Sequence, residues 1–147
     1  MSSAPGSVDP AEAARYADLA ATWWDSDGPF WPLHRLNALR VQYLESVLVR
    51  LSGRPVDAAQ PLAGLGILDV GCGGGLLAEA LAARGADVHG IDVVERNIGT
   101  ARAHAAGRLP NLAYSVSTAE ALAASGARYD VVLTLEVVEH VADLPGF

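Results

Sequence analysis

Apolar and polar positions along this chain follow two different rhythms, which change over near residue 66. Before that point the spacing is helical. Tyr16, Leu19, Ala20, Trp23 and Trp24 fall at i, i+3, i+4, i+7 and i+8 within Ala11–Trp24, a stretch opened by Pro10, which suits a first helical position. Asp25–Pro29 breaks the pattern, and Phe30–Arg35 reads as aromatic and irregular. A second helix is predicted from Asn37 to Leu51, with Leu39, Tyr43, Val47 and Leu51 on one stripe and Arg40 beside it. Ser52–Leu65, with two prolines and few periodic positions, reads as a linker. Residues 1–9 are small and polar and are expected to be disordered.

From residue 66 the pattern alternates. Short apolar runs at Ile67–Val70, Asp87–Ile91, Leu112–Val116 and Tyr129–Leu135 predict strands. Helical stretches follow them at Leu76–Arg84, Glu95–Ala106, Thr118–Ala124 and from Glu136 to about Asp143. Strands alternating with helices imply right-handed βαβ units and a parallel sheet. The expectation is therefore a doubly wound α/β domain over 66–147, preceded by a helical segment and linker over 10–65. Val131, Val132 and Leu133 form a continuous apolar run, the mark of a strand covered on both faces. As the last of only four strands it would be an aggregation-prone edge, so the domain reads as incomplete and the chain as the N-terminal part of something longer.

Composition narrows this picture. With 147 residues, 51% apolar and 18% charged, the chain reads as one globular domain. A formal charge of −7 argues against a nucleic-acid partner, whose phosphates call for a basic face, and against a polybasic membrane anchor. Cys72, the one cysteine, excludes an intramolecular disulfide and reads as a small residue tolerated among glycines. No stretch approaches the ~20 apolar residues of a membrane span, and the N-terminus lacks the basic and apolar segments of a signal peptide. The default location is cytoplasmic.

The chemistry concentrates at Gly66–Leu76, where a buried strand runs into Gly71, Gly73, Gly74 and Gly75 and then into a helix. Such a turn at the end of a strand is where an open α/β sheet holds a nucleotide-like ligand. A dinucleotide fingerprint needs Gly-x-Gly-x-x-Gly, and counting from Gly71 it fails at Leu76. Asp92, an acid ending the second strand, suits a ribose diol in either kind of cofactor.

The string Leu68-Asp69-Val70-Gly71-Cys72-Gly73-Gly74-Gly75 resembles the first motif of class I S-adenosylmethionine (SAM)-dependent methyltransferases. Arg15–Asp25, Pro32–Arg40, Tyr129–Val132 and Glu136–Val141 resemble, more narrowly, the ubiquinone-biosynthesis O-methyltransferases. The resemblance covers about Pro10 to Pro145. It implies a Rossmann-like methyltransferase sheet, SAM as cofactor, and methylation of a catechol-like hydroxyl on polyprenylated ubiquinone precursors. By the same resemblance, Gly71 and Gly73 give their backbone to the methionine end of SAM, Arg40 binds its carboxylate and Asp92 its ribose. Ser117–Ala119 would cradle the adenine, and Leu135 would line the pocket through its carbonyl.

Glu136, Glu139 and His140 stand at i, i+3 and i+4 on the last predicted helix, projecting from one face. The resemblance implies that they hold a divalent ion, for which hard oxygens favour Mg²⁺. His140 could instead be the general base for a phenolic proton. Trp23, Trp24, Phe30 and Trp31 read either as core or as an aromatic lid for a polyprenyl acceptor, with His34 a candidate for a hydrogen bond to the phenol. A ubiquinone-biosynthesis complex and peripheral membrane contact would be consistent with such a substrate. The competing expectations are a different small-molecule methyltransferase and a truncated, non-catalytic SAM-binding module.

Overall fold

The computed structural model describes residues 7–53 and 59–147. Helix α1 spans Pro10–Leu19, with Asp9 as its cap, accepting the Ala11 N–H at 2.8 Å. A single 3₁₀ turn, Ala20–Thr22, follows. Helix α2 spans Trp31–Ser52, so its first turn includes the stretch expected to be irregular. Pro32 sits in that first turn, where a missing N–H costs nothing. Part of the predicted linker, 54–58, lies outside the described residues.

Most of the apolar stripe read on α2 faces solvent. Leu39 is 64%, Tyr43 66% and Leu51 75% exposed, while Val41 and Leu48 are buried. Both faces of this helix carry apolar residues, and the one with Val41, Leu44, Leu48 and Val49 meets the core.

Strands β1 (Gly66–Val70), β2 (Asp87–Asp92), β3 (Leu112–Val116) and β4 (Val131–Leu133) form one parallel sheet in the order β3-β2-β1-β4. Helices α3 (Leu76–Ala82), α4 (Glu95–Ala105) and α5 (Ala119–Ala124) connect them. One face of the sheet buries Ile67, Val88, Tyr114 and Leu133 against Ala78 and Leu81 of α3 and Ile98 and Ala101 of α4. On the other face Leu68, Val70 and Ile91 pack with Leu122 of α5, Tyr129, Val137 and Phe147. A third cluster joins Ala20, Trp23 and Phe30 to Leu76 at the start of α3, which seats the N-terminal segment on the glycine turn.

Four expectations need correction. β4 is shorter than the predicted Tyr129–Leu135, because it pairs only with Ile67–Asp69 of β1 and the chain turns away after Leu133. Val132 is 56% exposed, so this strand is not covered on both faces. The last helix does not form. Glu136 takes a left-handed φ of 57°, outside the right-handed helical region, and only a 3₁₀ turn, Val138–His140, remains. At the other end, Ser7–Asp9 are structured where disorder was expected. Val8 bridges Val141 antiparallel, Ala142 N–H donates to Ser7 O at 2.7 Å, and Ser7 is buried.

Candidate active-site cleft

The strand order reverses at β1: β2 and β3 extend to one side, β4 to the other. Ligands of open α/β sheets bind at the carboxyl ends of the strands where such a reversal occurs. A cleft of about 300 Å³ opens there, at the lower end of the range for small-molecule sites. The sheet lines it with Asp69 and Asp92, the glycine turn with Gly71 and Gly73, and the N-terminal helices close it with Glu12, Tyr16, Asn37 and Arg40. Among the expected residues, Ser117–Ala119, Leu135, Glu136 and His140 also line it, whereas Glu139 does not.

Asp92 anchors the floor. Its Oδ2 accepts the Gly73 N–H at 2.9 Å and its Oδ1 the Val94 N–H at 2.8 Å. A carboxylate has about four acceptor positions, so lone pairs remain for ligand hydroxyls. Burial raises the Asp92 pKa, opposed by hydrogen bonds from Val94, Gly73, Asn97 and Val93. Asn97, itself buried, accepts the Trp23 indole N–H at 2.8 Å, so the N-terminal segment is tied to the group that steadies Asp92.

Asp69 is the contrast. It is 4% exposed, and no donor among the described residues reaches its carboxyl. Burial, then the Asp92 charge, pushes its pKa up to about 7. A buried carboxyl without a partner is costly, and this one lines the cleft. The sequence displayed it as an acid inside an apolar strand, but gave no sign that its partner was missing.

The glycines answer to packing as well as to a ligand. A Cβ on Gly73 or Gly74 would overlap the Trp23 side chain, and one on Gly71 would meet Val137 Cγ2 at 2.5 Å. Gly73 has spent its N–H on Asp92, so its carbonyl is what it offers a ligand. Cys72 is buried, with its thiol pKa raised well above normal by burial and by the two aspartates, which fits a packing residue.

The aromatic segment divides. Trp23 and Phe30 are buried, stacked 3.7 Å apart, and line the cleft, while Trp31 is half exposed. The Trp24 indole donates to Gly74 O at 2.9 Å. His34 contacts Trp23 O at 2.8 Å and is outside the cleft, so it is not placed to meet a phenol there.

Arg40 reaches the cleft, where its guanidinium pairs with the Glu136 carboxylate. His140 Nδ1 lies 3.2 Å from Glu12 Oε2, and its Nε2 is 4.0 Å from Glu139 Oε1. Glu136, Glu139 and His140 therefore do not form the expected triad. The left-handed turn at Glu136 sends its carboxylate to Arg40. Among the described residues no three His, Cys, Asp or Glu side chains are gathered as a metal centre needs. This donor arrangement does not fit Mg²⁺.

This site geometry has counterparts among known proteins. Residues 67–146 match the family described as methyltransferase domain, and the chain belongs to it. The chain is 51% identical over 140 residues to the ubiquinone biosynthesis O-methyltransferase of Sinorhizobium fredii, covering 95% of this chain and 56% of that protein. It is 52% identical over 135 residues to the protein of that name in Roseobacter denitrificans, covering 92% and 54%. The chain thus spans about half the length of the curated relatives it matches. The crystal structure of magnesium protoporphyrin IX methyltransferase from Synechocystis PCC 6803 with bound SAM superposes with a TM-score of 0.56 at 27% identity, over 91% of this chain and 59% of that one. The bifunctional kinase-methyltransferase WbdD gives 0.53 at 32% identity, over 73% and 22%.

Proposed function

We propose that the cleft binds SAM and that the protein methylates a phenolic or catechol oxygen of a polyprenylated ubiquinone precursor. The observation that carries the cofactor reading is the unpartnered, buried Asp69 carboxyl in a cleft that also presents the Arg40 guanidinium. An amino-acid zwitterion satisfies both: its ammonium supplies the donors Asp69 lacks, and its carboxylate matches the guanidinium fork. Asp92 has lone pairs for the ribose hydroxyls, and Ser117–Ala119 border the place left for the base.

SAM, when bound, supplies a methyl group on a positively charged sulfur, which a phenolate oxygen takes while the sulfur leaves as a neutral thioether. The chain's own contribution is orientation and proton removal. Asp92, Asp69 and Arg40 would hold the cofactor at three points. Trp23 and Phe30 offer an apolar wall to a greasy acceptor. His140, at the cleft, takes the phenolic proton. Support for the acceptor comes from the names of the relatives and from this aromatic wall.

The test is to incubate the protein with methyl-labelled SAM and a short-prenyl demethylated quinol. Label on the phenolic oxygen is expected. No SAM binding by titration calorimetry would overturn the cofactor reading; binding followed by label on another acceptor class alone would overturn the substrate.

A further inference from the structure

Of the two adjacent tryptophans that touch the glycine turn, Trp23 lines the cleft and Trp24 does not. Trp24 donates its indole N–H to Gly74 O at 2.9 Å. Its ring is itself held. The His104 imidazole lies flat on it, centroids 3.3 Å and planes 3° apart, and His34 stands edge-on at 6.3 Å. His104 Nδ1 in turn meets Glu79 Oε2 at 2.6 Å; a carboxylate only accepts, so Nδ1 carries the proton. Glu79 is buried in the first turn of α3, and its other oxygen accepts from Arg108 Nη2 at 3.3 Å. None of Glu79, His104 and Arg108 lines the cleft. A connected series, Glu79 to His104 to Trp24 to the Gly74 carbonyl, therefore runs from α3 and α4 into the turn.

The turn has reason to need such a fastening. Gly71, Gly73 and Gly75 take φ of 69°, 57° and 93°, and a run of residues without Cβ has more backbone alternatives than any other sequence. The Gly73 N–H is fixed by Asp92, and the Gly75 N–H by Cys72 O at 3.1 Å. The Gly74 carbonyl takes its hold from Trp24. Without it the Gly74–Gly75 peptide gains freedom to rotate, beside the peptide that carries the Gly73 carbonyl offered to a ligand. An indole fixes a carbonyl well only if the indole is itself fixed, and the stacked imidazole supplies that. Seating the N-terminal segment is a separate task, served by the buried apolar contacts of Trp23 and Phe30 with Leu76. The Trp24 series is polar, half-buried and aimed at one backbone oxygen.

The geometry points to Trp24 as a positioning residue for the cofactor turn, with His104, braced by Glu79, keeping the indole N–H on the Gly74 carbonyl. This rests on the reading of the cleft as a SAM site. Neither side chain lines the cleft, so each acts through the turn rather than on the ligand. The coupling is reciprocal. If the hold of Trp24 raises the affinity for SAM by some factor, bound SAM raises the population of the Trp24–Gly74 hydrogen bond by the same factor. The two tryptophans thereby divide the work: Trp23 is a wall of the cleft, and Trp24 fastens its glycine turn from outside.

Solvent exchange of the indole N–H groups in the full chain, read by ¹H–¹⁵N NMR, tests this without turnover. The chain has three tryptophans, and the Trp24 signal is the one lost in Trp24→Phe. Saturating SAM should slow the exchange of that signal about three- to tenfold, the range one hydrogen bond or one aromatic stack can carry. Titration calorimetry should show SAM affinity weakened by a similar factor in Trp24→Phe, which keeps a ring and loses the donor. His104→Ala should weaken it likewise, and His104→Phe, which keeps a flat ring against the indole, should regain most of the loss. In turnover with SAM and a catechol these losses should appear in KM for SAM, with kcat changed less than about twofold. Wild-type SAM binding that leaves the Trp24 exchange rate unmoved, or full affinity in Trp24→Phe, would overturn the proposal; the first needs no variant to fold. Equal affinity in the wild type and His104→Ala would remove His104 from it. A wild type that binds no SAM would remove the cofactor reading and the proposal with it.

Discussion

The Trp23 side chain fills the space that a side chain on Gly74 would need. Gly74→Ala should therefore destabilise the protein by about 1–3 kcal/mol through overpacking, measured by urea denaturation. In a Trp23→Ala background the same substitution should cost less than about 0.5 kcal/mol, because the clash partner is gone. Equal costs in both backgrounds would show that Gly74 is required for another reason.

Asp92 holds two backbone N–H groups and faces the cleft. Asp92→Ala should weaken SAM binding about 100-fold, corresponding to about 3 kcal/mol for lost charge-assisted hydrogen bonds to the ribose. Titration calorimetry reads this directly, and an unchanged affinity would mean that the glycine turn is not the cofactor site.

Asp69 predicts a pH dependence of opposite sign for folding and for binding. Its folded-state pKa is raised from 3.8 to about 7. The folded protein therefore holds a proton that the unfolded chain releases. The stability owed to this group is fully present below about pH 4 and is lost as pH rises through 7. An ammonium placed beside Asp69 favours the ionised form, so SAM binding should release a proton and tighten as pH rises from about 5.5 to 7.5. Calorimetry in buffers of different ionisation enthalpy measures the proton, and Asp69→Asn should abolish its release.

Arg40 is paired with Glu136 at a site where SAM's carboxylate would compete. The Glu136 side chain is 55% exposed, and partly exposed ion pairs are worth about 0.2–1 kcal/mol. Glu136→Gln should therefore improve SAM affinity no more than about fivefold, a factor that corresponds to about 1 kcal/mol. Arg40→Ala should weaken it. A weaker cofactor affinity in Glu136→Gln would mean that Glu136 itself contacts the ligand.

The α/β alternation was legible because strand and helix periods differ and glycines punctuate them. β3, Leu112–Val116, forms over the residues predicted. α2 was legible as a helix but not in its orientation, because Leu39 and Tyr43 offer a periodic stripe as convincing as Val41 and Leu48, and only the neighbouring elements decide between them. The helix at Glu136 failed for a related reason. Local spacing favoured it, while the packing of Val137 against Gly71 and the pull of Arg40 on Glu136 act across the fold. The cleft residues on strands and glycine turns could be read from the motif. Glu12 and Tyr16 could not, since Tyr16 and His140 meet across 124 positions and no local pattern links them.

The antiparallel bridge between Val8 and Val141 is a seam between nearly the first and the last described residues. It joins outside the four-stranded sheet, and neither valine belongs to the buried cluster around Ile67 and Leu81. A contact of this kind is expected to reopen without unfolding the sheet, because few buried groups must part. In native-state hydrogen exchange, the Ala142 amide, bonded to Ser7, is expected to exchange well before the Cys72 amide, bonded to Ile91 inside the core. On that expectation, the glycine turn proposed to hold the cofactor stays folded while the segment carrying His140 loosens as a separate cooperative unit.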